Sequence, residues 1–316
     1  MTRPTVLMPS RMHDVVVEGC EERFELIRLW EAADPDAVLA ERGADVRGLA
    51  TGGHHTVDAA LLDRLPNLQI VANFGVGYDT VDVEAATERG VIVTNTPGVL
   101  DDEVADTALG LMLMTVRELG RAERYLRAGR WATEGNYPLT DLTMTGRRLG
   151  ILGLGRIGEA IAKRAEAFKV TIAGYHNRSR KDVPYRYYPS LVEMARDVDT
   201  LVVVVPGNAS TRHLVNAEVL EALGPDGVLI NIGRGTVVDE AALIAALKTR
   251  TIRAAGLDVF EDEPNVPQEL IDLDNAVLLP HVGSASKPTR RAMGQLVVDN
   301  LTTWFAEGRA LTPVNG

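Results

Sequence analysis

Residues 149–168 read LGILGLGRIGEAIAKRAEAF: an apolar run, a turn carrying Gly153, Gly155 and Gly158, then apolar residues at helical spacing. A strand that turns through glycines straight into a helix constrains the fold around it. The helix must cross back over the sheet, so the next strand lies parallel to the first. The rest of the chain keeps that rhythm. Short apolar runs at 5-TVLMP, 48-GLAT, 69-QIVANF and 91-VIVTN are predicted strands, with helical stretches around 17–31, 57–64 and 82–88 between them. A second series follows at 149-LGILG, 170-VTIAGY, 200-TLVVVV, 228-VLINIG, 254-AAGLDVF and 276-AVLLP. Helices 157-IGEAIAKRAEAF, 216-NAEVLEAL and 239-DEAALIAALK alternate with it, with Asn216 and Asp239 as N-caps and Gly224-Pro225 as a stop. The pattern is α/β with two doubly wound parallel sheets. Segment 102-DEVADTALGLMLMTVREL places Val104, Ala108, Leu111, Met112 and Val116 on one helical face, with Asp101 or Asp102 as its cap, and predicts one long helix between the two series. Residues 287–308 read as a long terminal helix.

The 316 residues, 46% hydrophobic and 24% charged, suit two globular domains rather than one. The net charge of −11 opposes binding to a phosphate backbone, so nucleic acid is not an expected partner. The most apolar runs, such as 201-LVVVVP, are too short to span a bilayer, and MTRPTVLMPS carries no signal-peptide core. Cys20 is the only cysteine, so neither an internal disulfide nor a thiolate metal cluster is open to this chain. A reducing, cytoplasmic compartment is the expectation.

In the glycine turn, Gly153 permits the tight bend, Gly155 lets backbone amides approach a pyrophosphate, and Gly158 lets helix and strand pack closely. The helix N-terminus then faces the phosphates, and Gly153, Gly155, Arg156, Ile157 and Gly158 form the expected cofactor loop. The plainer alternative is an ordinary glycine-rich strand–helix turn. After the second strand of this series, where an NAD site would place an acid for the ribose, the chain reads His176-Asn177-Arg178-Ser179-Arg180-Lys181. Guanidinium groups pair with phosphate in forked geometry, and serine adds a donor. Arg178, Ser179 and Arg180 therefore predict NADP(H) over NAD(H), against the alternative of a solvated basic loop.

Three strand-end segments each carry one group suited to hydride chemistry: Arg234 in 231-NIGRGTVVDE, Glu263 before Pro264 in 256-GLDVFEDEP, and His281 in 280-PHVGSAS. Reduction of a 2-keto acid places negative charge on the carbonyl oxygen as the hydride arrives. His281 is a proton donor for that oxygen. Arg234 binds the carboxylate and polarises the ketone. Glu263 stands behind His281 and orients it. Each residue alone also reads as a loop cation, a surface acid or a strand-end polar group. Their occurrence together with the glycine loop favours catalysis.

The motifs 73-NFGVGYDTVD, 94-TNTPGVLDDEVAD, 152-LGLGRIG, 229-LINIGRGTVVDE, 256-GLDVFEDEP and 280-PHVGSA make the chain resemble, over nearly its full length, the D-isomer-specific 2-hydroxyacid dehydrogenases. Within that family it most resembles the glyoxylate/hydroxypyruvate and hydroxyphenylpyruvate reductases. The resemblance implies that Arg234, Glu263 and His281 are catalytic. It also implies a Rossmann cofactor domain (100–283) inserted into a flavodoxin-like substrate domain (1–99 plus 284–316), with hinges near 98–101 and 281–286. The amides of Val76 and Gly77 are expected to hold the substrate carboxylate. Asp258 is expected at the nicotinamide carboxamide, Pro206 near the adenine, and Ile232 and Ser284 near the nicotinamide. A homodimer through residues 101–145 is implied as well.

Related specificities fit less well. A phosphoglycerate dehydrogenase would carry basic residues where 50-ATGGHHT stands, a formate dehydrogenase Gln in place of Glu263, and a phosphite dehydrogenase Lys in place of Val76. The chain departs from some glyoxylate/hydroxypyruvate reductases in having Glu134 where they carry a second Trp after Trp131. His54 and His55 line the expected substrate loop. Adjacent histidines point apart in an extended chain, and no metal is assigned to them. The expected activity is NADPH-dependent reduction of small 2-keto acids such as glyoxylate and hydroxypyruvate. Two alternatives are a non-catalytic dinucleotide-sensing protein on the same fold and an NAD-linked D-2-hydroxyacid dehydrogenase of other specificity.

Overall fold

The computed structural model describes residues 3–53 and 55–316. The chain divides into two compact units, one of Met1–Leu100 with Ala285–Gly316, the other of Asp101–Ser284.

The first unit begins β1 (Thr5–Met8), α1 (Asp14–Arg23), β2 (Glu25–Arg28), α2 (Pro35–Arg42) and β3 (Val46–Gly52). It continues α3 (Ala59–Asp63), β4 (Ile70–Phe74), α4 (Val83–Glu88) and β5 (Ile92–Thr94), and the terminal helix Lys287–Glu307 rejoins it. Among the described residues the strands pair in parallel in the order β2-β1-β3-β4-β5, the flavodoxin-like arrangement. The sheet is buried on both faces. Leu7, Leu49 and Val71 face one core, and Val6, Ala50 and Ala72 face another that includes Val297, Val298 and Leu301 of the terminal helix. Cys20 lies wholly inside the second core. Burial drives its thiol up to about 12, with Arg23 only partly opposing, so the group stays protonated and unreactive.

The helix predicted around 17–31 is shorter and starts earlier, at Asp14. It ends at Arg23, Phe24 turns extended, and Glu25–Arg28 forms strand β2 in register with β1. Edge pairing with β1 and burial of Ile27 outweigh the helical reading of a short stretch. Helix α2 was also outside the sequence reading. Its signal was Asp34-Pro35, an N-cap whose carboxylate accepts from Ala37 N–H at 3.0 Å, followed by Pro in the first turn.

The second unit opens with α5 (Asp101–Val116), α6 (Leu119–Arg127) and α7 (Arg130–Glu134). Its sheet region runs β6 (Arg148–Leu152), α8 (Arg156–Ala167), β7 (Thr171–His176), α9 (Leu191–Asp197), β8 (Thr200–Val203), α10 (Ala217–Leu223) and β9 (Val228–Asn231). It closes with α11 (Glu240–Lys248), β10 (Ala254–Leu257), α12 (Gln268–Ile271) and β11 (Ala276–Leu278). The six predicted strands all form, in the parallel order β11-β10-β9-β8-β6-β7. The order reverses between β6 and β8, the point at which doubly wound sheets bind ligands. Asn216 and Asp239 cap α10 and α11, and Gly224 stops α10 at φ 77°.

The long helix predicted from residue 102 to 119 is shorter than expected. It ends at Val116; Glu118 takes a left-handed φ of 50°, and α6 starts at once. Asp101 and Asp102 lie within its first turn, where negative charge faces the positive helix end. Its predicted apolar face, from Val104 to Val116, is buried. Among the described residues no helix is long and apolar enough to cross a membrane.

Candidate active site

The glycine turn leaves β6 at the sheet's switch point. Gly153 has φ 104°, and a Cβ there would stand 2.8 Å from Val205 Cγ1 and 2.9 Å from the Val204 carbonyl carbon, so only glycine passes. A Cβ on Gly158 would meet the Gly153 oxygen at 2.3 Å, which fixes how closely α8 packs on the turn. Gly155 is different: a Cβ there would meet nothing within 4 Å, and the residue is exposed. Its side is open space, suited to a pyrophosphate at close range. The Gly155 N–H is already given to Gly153 O at 2.9 Å. The amides available to an anion are therefore those of the first helical turn, Arg156 and Ile157, which have no intrahelical acceptor.

The segment after β7 holds Arg178, Ser179 and Arg180 exposed, and among the described residues neither arginine forms an ion pair. Its flanking residues are engaged. The Asn177 Oδ1 accepts from Leu154 N–H at 2.6 Å. Lys181 Nζ donates to Leu154 O at 2.8 Å and pairs with Glu159. Leu154 lies between the first two glycines, so these side chains tie the basic loop to the glycine turn. Neither contact was read from the sequence, which treated Lys181 as one more loop cation.

Of the three residues expected to be catalytic, His281 has its Nδ1 2.7 Å from Glu263 Oε2. The other carboxylate oxygen of Glu263 accepts from Phe260 N–H at 3.0 Å. Burial pushes the Glu263 carboxyl up. The hydrogen bond from His281, the Phe260 amide and the charges of His281 and Arg234 outweigh it, and the group sits below the usual carboxylate range. An ionised Glu263 keeps the proton of the near nitrogen on Nδ1, which leaves Nε2 as the nitrogen presented outward.

His281 has φ 52°, a conformation that non-glycine residues seldom adopt. Asp258, at the end of β10, holds it there. Its carbonyl accepts from His281 N–H at 2.9 Å, and its two carboxylate oxygens accept from Val282 N–H at 2.7 Å and Gly283 N–H at 2.8 Å. Burial raises the Asp258 carboxyl; those two amides and the charge of His281 pull the other way without cancelling it.

Arg234 follows β9 through a turn shaped by Asn231. Asn231 Oδ1 accepts from Gly233 N–H at 3.1 Å and its Nδ2 donates to Arg234 O at 2.9 Å. Gly235 lies against Phe260, where a Cβ would be 1.9 Å from the backbone, so the Arg234 loop and the Glu263 loop are pressed together. The Arg234 side chain packs over Gly207, one residue beyond Pro206. Pro206 itself is exposed, Ile232 is buried, and Ser284 is half-buried beyond Gly283. A Cβ on Gly283 would lie 3.0 Å from Asp258 Oδ2 and 3.5 Å from Ile232 Cδ1, so Asp258, Ile232 and the Gly283-Ser284 segment meet at one place.

In the first unit, Val76 and Gly77 follow β4 in a turn held by two buried asparagines that sequence reasoning passed over. Gly75 O accepts from Thr96 N–H at 2.9 Å, and Val76 O accepts from Asn95 Nδ2 at 2.9 Å. Asn73 Nδ2 donates to Gly77 O at 2.9 Å. A trans peptide points its N–H opposite to its C=O. Tying the Gly75 and Val76 carbonyls to the protein therefore aims the Val76 and Gly77 amides away from it, as a pair of donors. His54 lies outside the described residues. Among the described residues no group of three or more His, Cys, Asp or Glu side chains is placed to hold a metal ion.

A cavity of about 330 Å³ opens elsewhere in the second unit, lined among others by Met114, Arg121, Leu142, Arg253 and Val277. It is lined by Arg253 and Ala254 at the amino end of β10 and by residues 274–278 along β11, whereas Asp258 and His281 follow the carboxyl ends of those strands.

Comparison with known proteins gives consistent results. The family model for the D-isomer specific 2-hydroxyacid dehydrogenase, NAD binding domain, matches residues 109–283. A glyoxylate/hydroxypyruvate reductase A of Arabidopsis thaliana is 47% identical over 309 residues, covering 98% of each chain. A hydroxyphenylpyruvate reductase of Plectranthus scutellarioides is 47% identical over 310 residues, again covering 98% of each. An NADPH-dependent glyoxylate/hydroxypyruvate reductase of Sinorhizobium meliloti, solved with NADP and malonate, is 56% identical with a TM-score of 0.94, over 99% of this chain and 97% of that one.

Proposed function

The chain belongs to the D-isomer specific 2-hydroxyacid dehydrogenases, and from that premise we propose that it reduces glyoxylate to glycolate and hydroxypyruvate to D-glycerate with NADPH. The observation that carries the chemistry is the 2.7 Å contact of His281 Nδ1 with a Glu263 held ionised, which leaves Nε2 to give up a proton.

NADPH, when bound, supplies the hydride to the keto carbon. The residues of the chain do the rest. Nε2 of His281 protonates the carbonyl oxygen as negative charge grows there. Glu263 orients the ring through Nδ1–H and stabilises the imidazolium, which carries a proton on each nitrogen; giving up the Nε2 proton leaves the neutral ring with Nδ1–H still on Glu263. Arg234 pairs with the substrate carboxylate and draws electron density from the ketone. The Val76 and Gly77 amides are the proposed second hold on that carboxylate, which makes the first unit the substrate domain. The second unit takes the cofactor: Gly153, Gly155, Arg156, Ile157 and Gly158 at the pyrophosphate, and Arg178, Ser179 and Arg180 at the 2′-phosphate. Pro206 stands toward the adenine, and Ile232, Asp258 and Ser284 toward the nicotinamide. The space beside Gly155 and the exposed Arg178 and Arg180, which form no ion pair among the described residues, support that fit.

A homodimer through residues 101–145 is part of the same proposal. Leu119, Leu126, Trp131 and Leu139 are exposed in that stretch, and Leu139 is 97% exposed.

The test is the initial rate of NADPH oxidation with glyoxylate, hydroxypyruvate, pyruvate and hydroxyphenylpyruvate, each repeated with NADH. Rapid turnover of glyoxylate and hydroxypyruvate with NADPH, and slower turnover with NADH, is the expected result. A folded protein that binds NADPH and turns over none of the four would overturn the proposal.

A further inference from the structure

The loop that follows β7 is anchored at both ends to a single residue of the glycine turn. At its start, Asn177 takes both polar groups of the Leu154 backbone: Oδ1 accepts from Leu154 N–H at 2.6 Å, and Nδ2 donates to Leu154 O at 3.4 Å. At its end, Lys181 Nζ donates to the same Leu154 O at 2.8 Å and pairs with Glu159 on the first turns of α8. The loop backbone is fixed as well. Tyr175, wholly buried on β7, accepts from Lys181 N–H at 2.7 Å and donates to Lys181 O at 3.2 Å, and Tyr187 donates to Asn177 O at 3.3 Å. Between these anchors stand the three exposed residues Arg178, Ser179 and Arg180. Leu154 separates Gly153 from Gly155, and its own side chain is wholly buried.

We propose that Lys181, with Asn177, is a positioning residue for the dinucleotide: it latches the glycine turn to the basic loop and is not a ligand of the 2′-phosphate. In the sequence Lys181 directly follows the predicted clamp residues Arg178, Ser179 and Arg180 as one more loop cation. The structure commits its ammonium to a backbone carbonyl and a carboxylate on the glycine-turn side. A group with two such partners is already neutralised and hydrogen-bonded, and moving it to a phosphate would break both contacts. Glycines make the turn permissive, so the path of its backbone depends on outside anchors. The latch acts on the part of the site that both NADPH and NADH use, whereas Arg178 acts on the phosphate that only NADPH carries. The two roles therefore separate by cofactor. This inference rests on the NADPH reading above.

The experiment is equilibrium titration of the full chain with NADPH and with NADH, followed by nicotinamide fluorescence, with no substrate present. Wild-type protein, Lys181→Met and Arg178→Ala are compared. Lys181→Met is expected to weaken both cofactors by similar factors, about 10-fold for the loss of one charge-assisted hydrogen bond. Arg178→Ala is expected to weaken NADPH by a comparable factor and to leave NADH nearly unchanged. Loss of NADPH alone in Lys181→Met would make Lys181 a phosphate ligand and overturn the latch; unchanged binding of both would overturn it too. If Lys181→Met does not fold, judged by circular dichroism, Asn177→Ala, which removes the other anchor on Leu154, is read by the same ratio with the same two overturning results. Wild-type protein that binds neither cofactor would instead remove the NADPH reading itself, and the latch with it.

Discussion

At the scale of single residues, the site depends on how a few side chains divide their work. His281 is the proposed proton donor, and Asp258 and Glu263 hold it from two directions. His281→Ala is expected to keep NADPH affinity and to lower kcat by about 10²–10⁴-fold, the usual contribution of a positioned general acid. Steady-state rates beside a cofactor titration check this, and near-normal turnover would sink the assignment. Glu263 adds a dependence on pH. Its carboxyl is depressed in the folded protein, so it contributes stability above its unfolded value of about 4.3. That contribution is lost as the pH falls through the lowered native value. The stability gap between wild type and Glu263→Gln should therefore be full at neutral pH and shrink in acid. Urea unfolding at about pH 7 and about pH 3.5 measures it, and a gap of constant size would refute the coupling.

Elements decide where those residues stand. Strand β6, the glycine turn and α8 form one rigid piece because Gly158 packs against the carbonyl of Gly153. The glycines in it are not equivalent. Gly158→Ala would bring a methyl group 2.3 Å from that carbonyl, so the helix must move. Lower thermal stability and lost cofactor binding are both expected. Gly155→Ala has open space around it and an ordinary φ of −92°, so the melting temperature should hardly change. NADPH affinity should fall, because the methyl group fills the space proposed for the pyrophosphate. Thermal melts with and without NADPH separate the two variants; a Gly155→Ala protein with unaltered affinity would remove the pyrophosphate from that side of the turn. The same logic explains an element that was misread. Residues 25–28 carry no strong strand pattern of their own, and they become strand β2 because β1 offers an edge to pair with.

Over the whole molecule, two parallel sheets of similar strand order are proposed to carry different duties, and the net charge of −11 leaves anion binding to local arginines. The stretch from α6 to residue 145 leaves large apolar side chains exposed, which a second copy of the chain would cover. Leu126→Asp is expected to convert a homodimer to a monomer by light scattering, with the fold retained. A wild-type protein that is already monomeric would remove the dimer proposal.

Much of this molecule was legible in the sequence because the signals were local. The strand–glycine–helix rhythm, the caps at Asn216 and Asp239, and the apolar face of α5 depend on neighbours a few residues away, and each forms where the pattern placed it. The proposed catalytic residues were chosen from the sequence as residue types at strand ends. Tertiary structure alone decided what holds them. Asp258 reaches forward to the backbone of 281–283, and Asn95 ties the Val76 carbonyl, which turns the Gly77 amide outward. Lys181, next in sequence to the basic clamp residues, bonds instead to Leu154, twenty-seven residues back along the chain. The physical reason is common to all of them. A hydrogen bond between distant residues depends on where parallel strands bring their ends, and spacing along the chain carries no record of it.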